Sequence, residues 1–358
     1  MVENHLKRGV SMFAYIGCRT TRERNARGKG ISIFNVTNNV WRYISTVHTK
    51  ANPSYLAIDR TGQYLYAVHG DFNCITSYAI QADGNLQYMS EVNAMGNNPV
   101  YITINKSNTF AFVATLQGGT VASFPIKPDG SLGEAASVQH LSGQDAANVS
   151  FAHQCEFDRS GNFLFVPTQA RHVGYERIWV FAVCHKTGAL TLVDSVQSRC
   201  YSEPRHVVVS ADNRRVYLVN EKGNSVTYYE FCENTGRLTP VQIVSSLPET
   251  YTGEGQASAI ILDRREEFLY ATNRLHDSIA MYRINKHTGF LTSVGWVSAM
   301  GQTPRFGSRV PDSDEIVVAN EDSDTLQFFK VQEASGYLTF LDKTVHTESP
   351  TCIVFNKA

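Results

Sequence analysis

The chain has 358 residues, of which 42% are hydrophobic and 18% charged. This composition can bury a sizeable core and excludes a disordered chain. The formal net charge is −1 and no long run of like charges occurs, so the overall field does not favour binding to nucleic acid or to an anionic membrane. The length would suit two or three average domains, but propellers often exceed that size, so internal repeats are sought first.

The cysteines and the N-terminal residues indicate the cellular compartment of the protein. The residues Met1 to Ser11 are polar, and the apolar stretch from Met12 is too short for a signal-peptide core or a membrane span. Cysteines are odd in number and form no C-x-x-C pair, which is typical of free thiols in a reducing compartment. They are Cys18, Cys74, Cys155, Cys184, Cys200, Cys232 and Cys352. We therefore expect a cytoplasmic protein that contacts no membrane.

A four-strand pattern recurs along the chain. Each copy has an opening Pro or Ala, a short apolar strand, a polar turn, a second apolar strand, an alternating third strand, a glycine turn and a fourth strand. The first copy reads NPSYLAIDRTGQYLYAVHGDFNCITSYAIQADGNLQYMSEV. Four short strands in each repeat of 46 to 53 residues predict propeller blades. The copies open at Pro53, Pro99, Ala152, Pro204, Ala257, Pro304 and Pro350.

The seventh copy is incomplete. It begins at Pro350 and holds one strand, TCIVFNKA, whereas the start of the chain supplies three more strands in MFAYIGCRT, ISIFNV and WRYISTV. Pairing the two ends would close the ring and remove exposed sheet edges. We predict an all-β fold, a seven-bladed β-propeller closed by N-terminal strands that complete the C-terminal blade. Residues 1–11 are predicted to be an extension and residues 12–358 a single domain.

Two positions of the repeat are predicted to surround one mouth of the central channel. The first position directly follows the opening Pro or Ala, and the second lies at the end of the second strand. In every blade both positions are expected to lie on the same face of the propeller. Most residues in these positions are small or neutral. The charged or titratable exceptions are His153, Arg205, Arg305, Glu221, Arg274 and Glu321, and the next place along the inner strand holds Tyr55, Tyr101, Gln154 and His206.

These side chains predict an anion site with acid–base chemistry. Several arginines at one mouth suit a carboxylate or phosphate, and histidine is the usual proton carrier near neutral pH. No G-x-S-x-G elbow occurs, so a serine nucleophile is not expected. One histidine among arginines makes a poor cation site, so no metal and no cofactor are expected.

Other interpretations of the same residues stay open. Each Arg–Glu pair could be a structural ion pair, His206 could be a packing residue, and Glu321 could cap its turn. The basic run RTTRERNAR, Arg19 to Arg27, is interpreted as a solvated loop, although it could gate the mouth. The segment TQARHVGYER, Thr168 to Arg177, is longer than its counterparts and could fold over the mouth.

Four segments carry a family resemblance: AHQCEFDRSGNFLFVP, EPRHVVVSADNRRVYLVNE, FLYATNRLHDSIAMYRI and VANEDSDTLQFF. They resemble the propeller lactonases, a family that includes bacterial 6-phosphogluconolactonase of the propeller type and the fungal 3-carboxy-cis,cis-muconate lactonising enzyme. The resemblance implies catalytic roles for His153, Arg205, Glu221 and Arg274. For substrate binding we predict Arg305, Gln154, His206 and Glu321. One departure from the family pattern is PRFGSRV in the sixth blade, with Gly307 and Arg309 on an inner strand.

Three functions follow as hypotheses. The first is a lactonase that hydrolyses an anionic sugar-derived lactone, with 6-phosphogluconolactone as the leading example. The second is a lactone-forming cycloisomerase of the carboxymuconate type, and the third is a non-enzymatic propeller that binds a partner. The expected ligand is an anionic lactone or polycarboxylate and not nucleic acid. Whether His153 or Glu221 is the base, and the oligomeric state, stay open.

Overall fold

The fold is described from a computed structural model of the chain, which covers residues 11–357. Seven antiparallel sheets form the blades of a ring, and helical structure within these residues is confined to one 3-10 turn, Arg22–Arg24. The predicted seven-bladed β-propeller is therefore confirmed. Within the same residues, no helix is long and apolar enough to cross a membrane.

The strands follow the repeat. The chain starts with β1 (Ser11–Cys18), β2 (Gly30–Thr37) and β3 (Val40–His48). Blade 1 has β4 (Pro53–Ile58), β5 (Tyr64–His69), β6 (Cys74–Ile80) and β7 (Leu86–Asn93). Blade 2 has β8 (Pro99–Ile104), β9 (Phe110–Thr115), β10 (Thr120–Pro125) and β11 (Ser137–His140). Blade 3 has β12 (Phe151–Ala152), β13 (Glu156–Phe157), β14 (Phe163–Gln169), β15 (Arg177–Val183) and β16 (Leu190–Gln197).

The second half repeats the pattern. Blade 4 has β17 (Pro204–Val209), β18 (Arg215–Asn220), β19 (Ser225–Cys232) and β20 (Arg237–Ser245). Blade 5 has β21 (Gln256–Leu262), β22 (Phe268–Arg274), β23 (Ser278–Ile284) and β24 (Leu291–Ser298). Blade 6 has β25 (Pro304–Arg309), β26 (Glu315–Asn320), β27 (Thr325–Val331) and β28 (Leu338–His346). The last strand is β29 (Pro350–Lys357).

The two ends of the chain meet in blade 7. Strand β29 pairs antiparallel with β1, from Met12 opposite Lys357 to Cys18 opposite Pro350, and the sheet order is β29-β1-β2-β3. This pairing is the predicted closure. Strand β1 starts at Ser11, one residue before the predicted boundary, and residues 1–10 of the predicted extension lie outside the described residues.

A bulge recurs at the start of the inner strands and explains the first register position. Register shifts fall between Pro53 and Tyr55 and between Pro204 and His206, and blades 2, 6 and 7 show the same shift. The residue after the opening proline is thus the extra residue of a β-bulge, which redirects its side chain away from the regular ladder. The bulge places Arg205 and Arg305 at the channel mouth.

Blade 3 departs from this pattern. Its inner strand is split into the two-residue strands β12 and β13, and the residues between them, 153 to 155, follow an irregular path in which the His153 amide donates to the Pro167 carbonyl at 3.0 Å. The break frees the His153 side chain from the ladder and turns it toward the channel.

Neighbouring blades are braced by a repeated tyrosine–glycine contact. The buried phenol of Tyr217 in blade 4 donates to the Gly289 carbonyl in blade 5 at 2.9 Å, and the Tyr270 phenol donates to the Gly336 carbonyl in blade 6 at the same distance. Gly289 has a φ of 76°, where a side chain is strained, and an added Cβ would lie 2.5 Å from the Tyr228 hydroxyl. The turn glycine therefore allows both the turn and the close approach of the next blade.

Candidate active site

A polar cavity of about 290 Å³ opens at the mouth where the second strands end. We call this cavity the arginine mouth. Its lining includes Tyr55, His153, His206, Glu221 and six arginines: Arg19, Arg24, Arg171, Arg205, Arg274 and Arg305. The bulges of blades 4 and 6 supply Arg205 and Arg305, and the split strand of blade 3 supplies His153. Glu221 directly follows β18, and Arg274 ends β22.

The Glu221 carboxylate is the centre of the cluster. Its Oε1 lies 3.2 Å from Arg274 Nη2, and its Oε2 lies 3.3 Å from Arg205 Nε and accepts a hydrogen bond from Gln169 Nε2 at 3.1 Å. His153 Nε2 lies 3.9 Å from the same Oε2, which is too long for a direct hydrogen bond. One carboxylate therefore holds two guanidinium groups in place beside the histidine.

Backbone carbonyls of blade 5 hold the same arginines from the other side. Arg205 Nη1 donates to the Ser258 carbonyl at 2.6 Å, and Arg274 Nη2 donates to the Ala257 carbonyl at 3.4 Å. These carbonyls belong to the irregular start of β21, where the register shifts between Ala257 and Ile260. The guanidinium groups are thus fixed before a ligand binds, which lowers the cost of ordering them later.

Charge and burial set the pKa values. Burial by itself would raise the pKa of Glu221, but Arg274 and Arg205 outweigh it and lower the value to about 2. Burial and the neighbouring Arg205 hold the pKa of His153 well below its usual 6.5, and burial, Arg205 and His153 do the same for His206. At neutral pH the carboxylate is ionised and both imidazoles are neutral, so His153 is able to accept a proton.

The rim of the mouth carries more positive charge. Arg305 forms an ion pair with Glu321, and Arg19 and Arg24 share Asp71, with Arg19 Nη1 at 3.0 Å from Asp71 Oδ2. The six arginines of the mouth therefore face three paired carboxylates, those of Asp71, Glu221 and Glu321. The surplus of cations favours an anionic ligand, although the net charge of the whole chain is only −1.

Two buried polar atoms of the cluster have no hydrogen-bond partner in the described part of the chain. Within residues 11–357, Arg274 Nε and His153 Nδ1 form no hydrogen bond. Buried polar groups are nearly always satisfied in folded proteins, so such atoms call for an explanation such as a bound polar group or water. One arginine donor and one histidine nitrogen beside a single cavity suit a ligand rich in oxygen.

The structure brings most of the sequence-predicted site residues together. His153, Arg205, Glu221, Arg274, Arg305 and His206 all line the mouth, and Glu321 pairs with Arg305 behind them. Gln154 is the exception. Its side chain bonds the backbone of Val207 through both amide atoms, at 2.5 and 3.4 Å, and it lines a different cavity. Gln154 therefore bridges blades 3 and 4 and lies outside the arginine mouth.

Sequence reasoning missed four side chains. Arg19 and Arg24 belong to the basic run interpreted as a solvated loop. That interpretation fails for Arg19, which is buried and lines the mouth. Arg171 comes from the long segment after β14, and Gln169 links it to Glu221 by accepting from Arg171 Nε at 3.1 Å. The basic composition of the first loop and the extra length of the second were the available signals.

Groups of three or more His, Cys, Asp or Glu side chains arranged to hold a metal ion do not occur within residues 11–357. The chemistry that the described side chains can supply is anion binding by guanidinium groups, proton transfer by a neutral imidazole, and stabilisation of a developing oxyanion. The fold and the site together define a seven-bladed propeller with a cationic, acid–base site at one mouth of its channel.

Comparison with known proteins assigns the family. Residues 13–355 match the family model described as lactonase, 7-bladed β-propeller, and the chain belongs to this family. An uncharacterised protein of Lactococcus lactis subsp. cremoris is 28% identical over 92% of this chain and 82% of its own length. The 6-phosphogluconolactonase of Bacillus subtilis is 31% identical, over 51% of this chain and 52% of its own length. The solved periplasmic gluconolactonase of Pseudomonas aeruginosa superposes with a TM-score of 0.84 at 25% identity, over 97% of this chain and 99% of that one.

Proposed function

We propose that the protein hydrolyses an anionic sugar-derived lactone in the arginine mouth, with 6-phosphogluconolactone as the leading candidate. The observation that carries the proposal is the Glu221 cluster, in which one ionised carboxylate holds Arg205 and Arg274 beside the neutral His153. Family membership and the 6-phosphogluconolactonase of B. subtilis among its relatives support the same substrate class.

His153 is the proposed base. A carboxylate with a pKa of about 2 is too weakly basic to remove a proton from water efficiently, because a useful base has a pKa near the working pH. The pKa of the His153 imidazole is lowered partly by Arg205, Arg171 and Arg274. An anionic substrate that neutralises these arginines would raise the His153 pKa back toward neutrality and increase its basicity.

The proposed reaction has two steps. A water oxygen attacks the lactone carbonyl carbon while its proton moves to His153, and the resulting oxyanion accepts hydrogen bonds from Arg205 and Arg274. The ring carbon–oxygen bond then breaks, and the leaving oxygen takes the proton from His153. The products are a free carboxylic acid and a hydroxyl group. In this scheme Glu221 is a positioning residue for the two arginines.

Exposure of the rim favours hydrolysis over ring closure. A cycloisomerase should exclude water, whereas Gln117 and Arg171 at the rim are exposed and the side chain of Arg24 is 44% exposed. The segment from Thr168 to Arg177 contributes Arg171 to the lining, and it leaves these rim residues open to solvent. His153 is buried but lines the cavity that opens at this rim, and we expect water to reach it there.

The test is a pH-stat assay of acid release by the purified protein. The substrates are 6-phosphogluconolactone, unphosphorylated gluconolactone and a muconolactone, each measured against its spontaneous rate. We expect the largest acceleration with the phosphorylated lactone, because its extra charge meets the rim arginines. Acceleration of none of the three would overturn the proposal, and cyclisation of a carboxymuconate in the reverse assay would replace it with the cycloisomerase.

A further inference from the structure

A second and larger cavity, of about 570 Å³, opens at the opposite end of the channel. We call it the distal cavity. Tyr55, His206 and Phe306 line both this cavity and the arginine mouth, so these three side chains form a wall between them. Space of this size suits a small-molecule ligand. The proposed lactone chemistry does not use it.

Blade 6 differs from the other blades where it lines the distal cavity. In the other blades that share the bulge, the second residue after it is a bulky apolar side chain, whereas blade 6 has Gly307. The bulky counterparts are Leu56, Ile102, Val207 and Ile353. Gly307 has no left-handed φ, and the nearest atom to an added Cβ would be the flexible tip of Ile261 at 2.6 Å. Backbone geometry therefore does not require this glycine. The tip of Ile261, which lines the distal cavity, occupies the place that a side chain at position 307 would take.

The same strand also brings a charge into the channel. The fourth residue after the bulge is Ile58, Ile104, Val209 or Phe355 in the other blades, and it is Arg309 in blade 6. Arg309 and Arg264 both line the distal cavity and are exposed. In the part of the chain that the structure describes, neither forms an ion pair, whereas Arg159 pairs with Glu266. Two guanidinium groups are thus free to meet an anion.

An acidic group lies across the channel from them, in blade 3. Glu156 Oε2 accepts a hydrogen bond from the Tyr101 phenol at 2.6 Å, and Glu156 lines the distal cavity. Burial raises the pKa of Glu156, although the Tyr101 bond opposes the shift. The Tyr101 ring packs on Tyr55 with centroids 4.2 Å apart, so the carboxylate sits beside an aromatic wall. A ligand that donates a hydrogen bond to Glu156 would find apolar surface around it.

We propose that the distal cavity is a second ligand site, which binds a small amphipathic acid that also carries a hydrogen-bond donor. The donor group contacts Glu156, the apolar body packs against the inner strands of blades 4 and 5, and the anionic group contacts Arg309 and Arg264. The apolar contact surface is supplied by Val207, Val208, Ile260 and Leu262.

The probe that tests the proposal is 4-hydroxyphenylacetate, because it combines a phenol, an apolar ring and a carboxylate. Its binding is measured by ligand-observed saturation-transfer NMR and by titration. Phenylacetate lacks the donor and 2-(4-hydroxyphenyl)ethanol lacks the anion. We expect each analogue to bind at least about tenfold more weakly, since a hydrogen bond to a charged group is lost. Glu156→Gln should weaken binding of the full probe without affecting phenylacetate.

Two variants separate this site from the arginine mouth. Gly307→Val restores the bulky residue of blade 4. It must displace the tip of Ile261, which lines the distal cavity, and should reduce binding of the probe at least about tenfold. Arg274→Ala, which alters only the other mouth, should leave the affinity unchanged. Thermal unfolding of each variant verifies that it is folded. Loss of binding in Arg274→Ala with retention in Gly307→Val would overturn the proposal, as would no detectable binding to the wild-type protein.

Discussion

The folded chain holds the two histidines of the channel, His153 and His206, in their neutral form at neutral pH. The pKa values of His153 and His206 lie well below 6.5 in the folded chain, chiefly because of burial and then the charge of Arg205. The unfolded chain therefore binds more protons than the folded one just below pH 6.5. The contribution of the two neutral histidines to the free energy of unfolding is fully present above that pH. It is lost as the pH falls toward the pKa values of the histidines in the folded chain.

Stability should accordingly fall with acidification. We expect the Tm to decline between about pH 7 and pH 5, where the unfolded histidines take up protons. Differential scanning calorimetry across this range measures the effect. A double variant, His153→Gln with His206→Gln, should have a flatter profile than the wild-type chain. A Tm that rises as the pH drops, or the same slope in the double variant, would contradict the assigned neutral states.

Glu221 neutralises two buried arginines, so its removal should harm both stability and activity. In Glu221→Gln the shape is kept, but the charges of Arg205 and Arg274 lose their partner. Breaking a buried ion pair in this way costs about 3–5 kcal/mol. Chemical denaturation should show that loss, and kcat/KM should fall. Glu333→Gln, which removes the acidic partner of the exposed Arg265, is the matched control and should change neither quantity measurably.

The residues of the site differ in how far sequence could predict them. His153, Arg205, Glu221 and Arg274 stand at repeat positions that every blade shares, so register alone was able to place them around one mouth. Gln154 occupies a similar place, but its amide bonds Val207, which no repeat pattern shows. Arg19, Arg24 and Arg171 come from the loops after the second strands of blades 7 and 3, where register carries no information about side-chain position.

At the scale of the element, the β-bulge at the start of the inner strands directs one side chain of each repeat toward the channel mouth. It recurs after Pro53, Pro99, Pro204, Pro304 and Pro350. The residue that it displaces changes from Ser54 or Val100 to Arg205 or Arg305. The scaffold is therefore constant, while single substitutions at the bulge set the charge of the mouth. The strand pattern and turn glycines made the elements predictable. The split of the inner strand in blade 3 was not predicted, because AHQCEF looks like one strand.

The tyrosine–glycine hydrogen bond between neighbouring blades should contribute measurably to the free energy of unfolding. Tyr217→Phe removes one buried hydrogen bond to the Gly289 carbonyl and keeps the ring packing. We expect a loss of about 1 kcal/mol in the free energy of unfolding, measured by chemical denaturation. Tyr201→Phe, at a side chain that is 77% exposed, is the control and should be neutral. Equal stability of the Tyr217 variant and the wild-type chain would show that this hydrogen bond contributes nothing.

At the scale of the whole molecule, the ring depends on a single pairing of the chain ends. Deleting β29, residues 350–358, removes the inner strand of blade 7 and exposes the free edge of β1. We expect this truncated chain to lose cooperative unfolding and to aggregate, because an unpaired apolar edge recruits other strands. Calorimetry and light scattering report both effects.

Deletion of residues 1–10 is the contrasting truncation. The sequence predicts that the propeller begins near Met12, so this deletion should leave the unfolding transition unchanged. A cooperative, monodisperse protein after loss of β29 would contradict the role of closure. A large drop in Tm after loss of residues 1–10 would contradict the predicted domain boundary.

The central claim is that a lactone is opened by the side chains of the arginine mouth. The most direct measurement is kcat/KM for 6-phosphogluconolactone in a pH-stat, for the wild-type chain beside His153→Gln, Arg274→Ala and the exposed control Arg237→Ala. We expect both site variants to lose about 10²–10⁴-fold and the control to keep wild-type activity. Full activity in His153→Gln and Arg274→Ala would contradict the account, because lactone opening would then occur elsewhere on the protein.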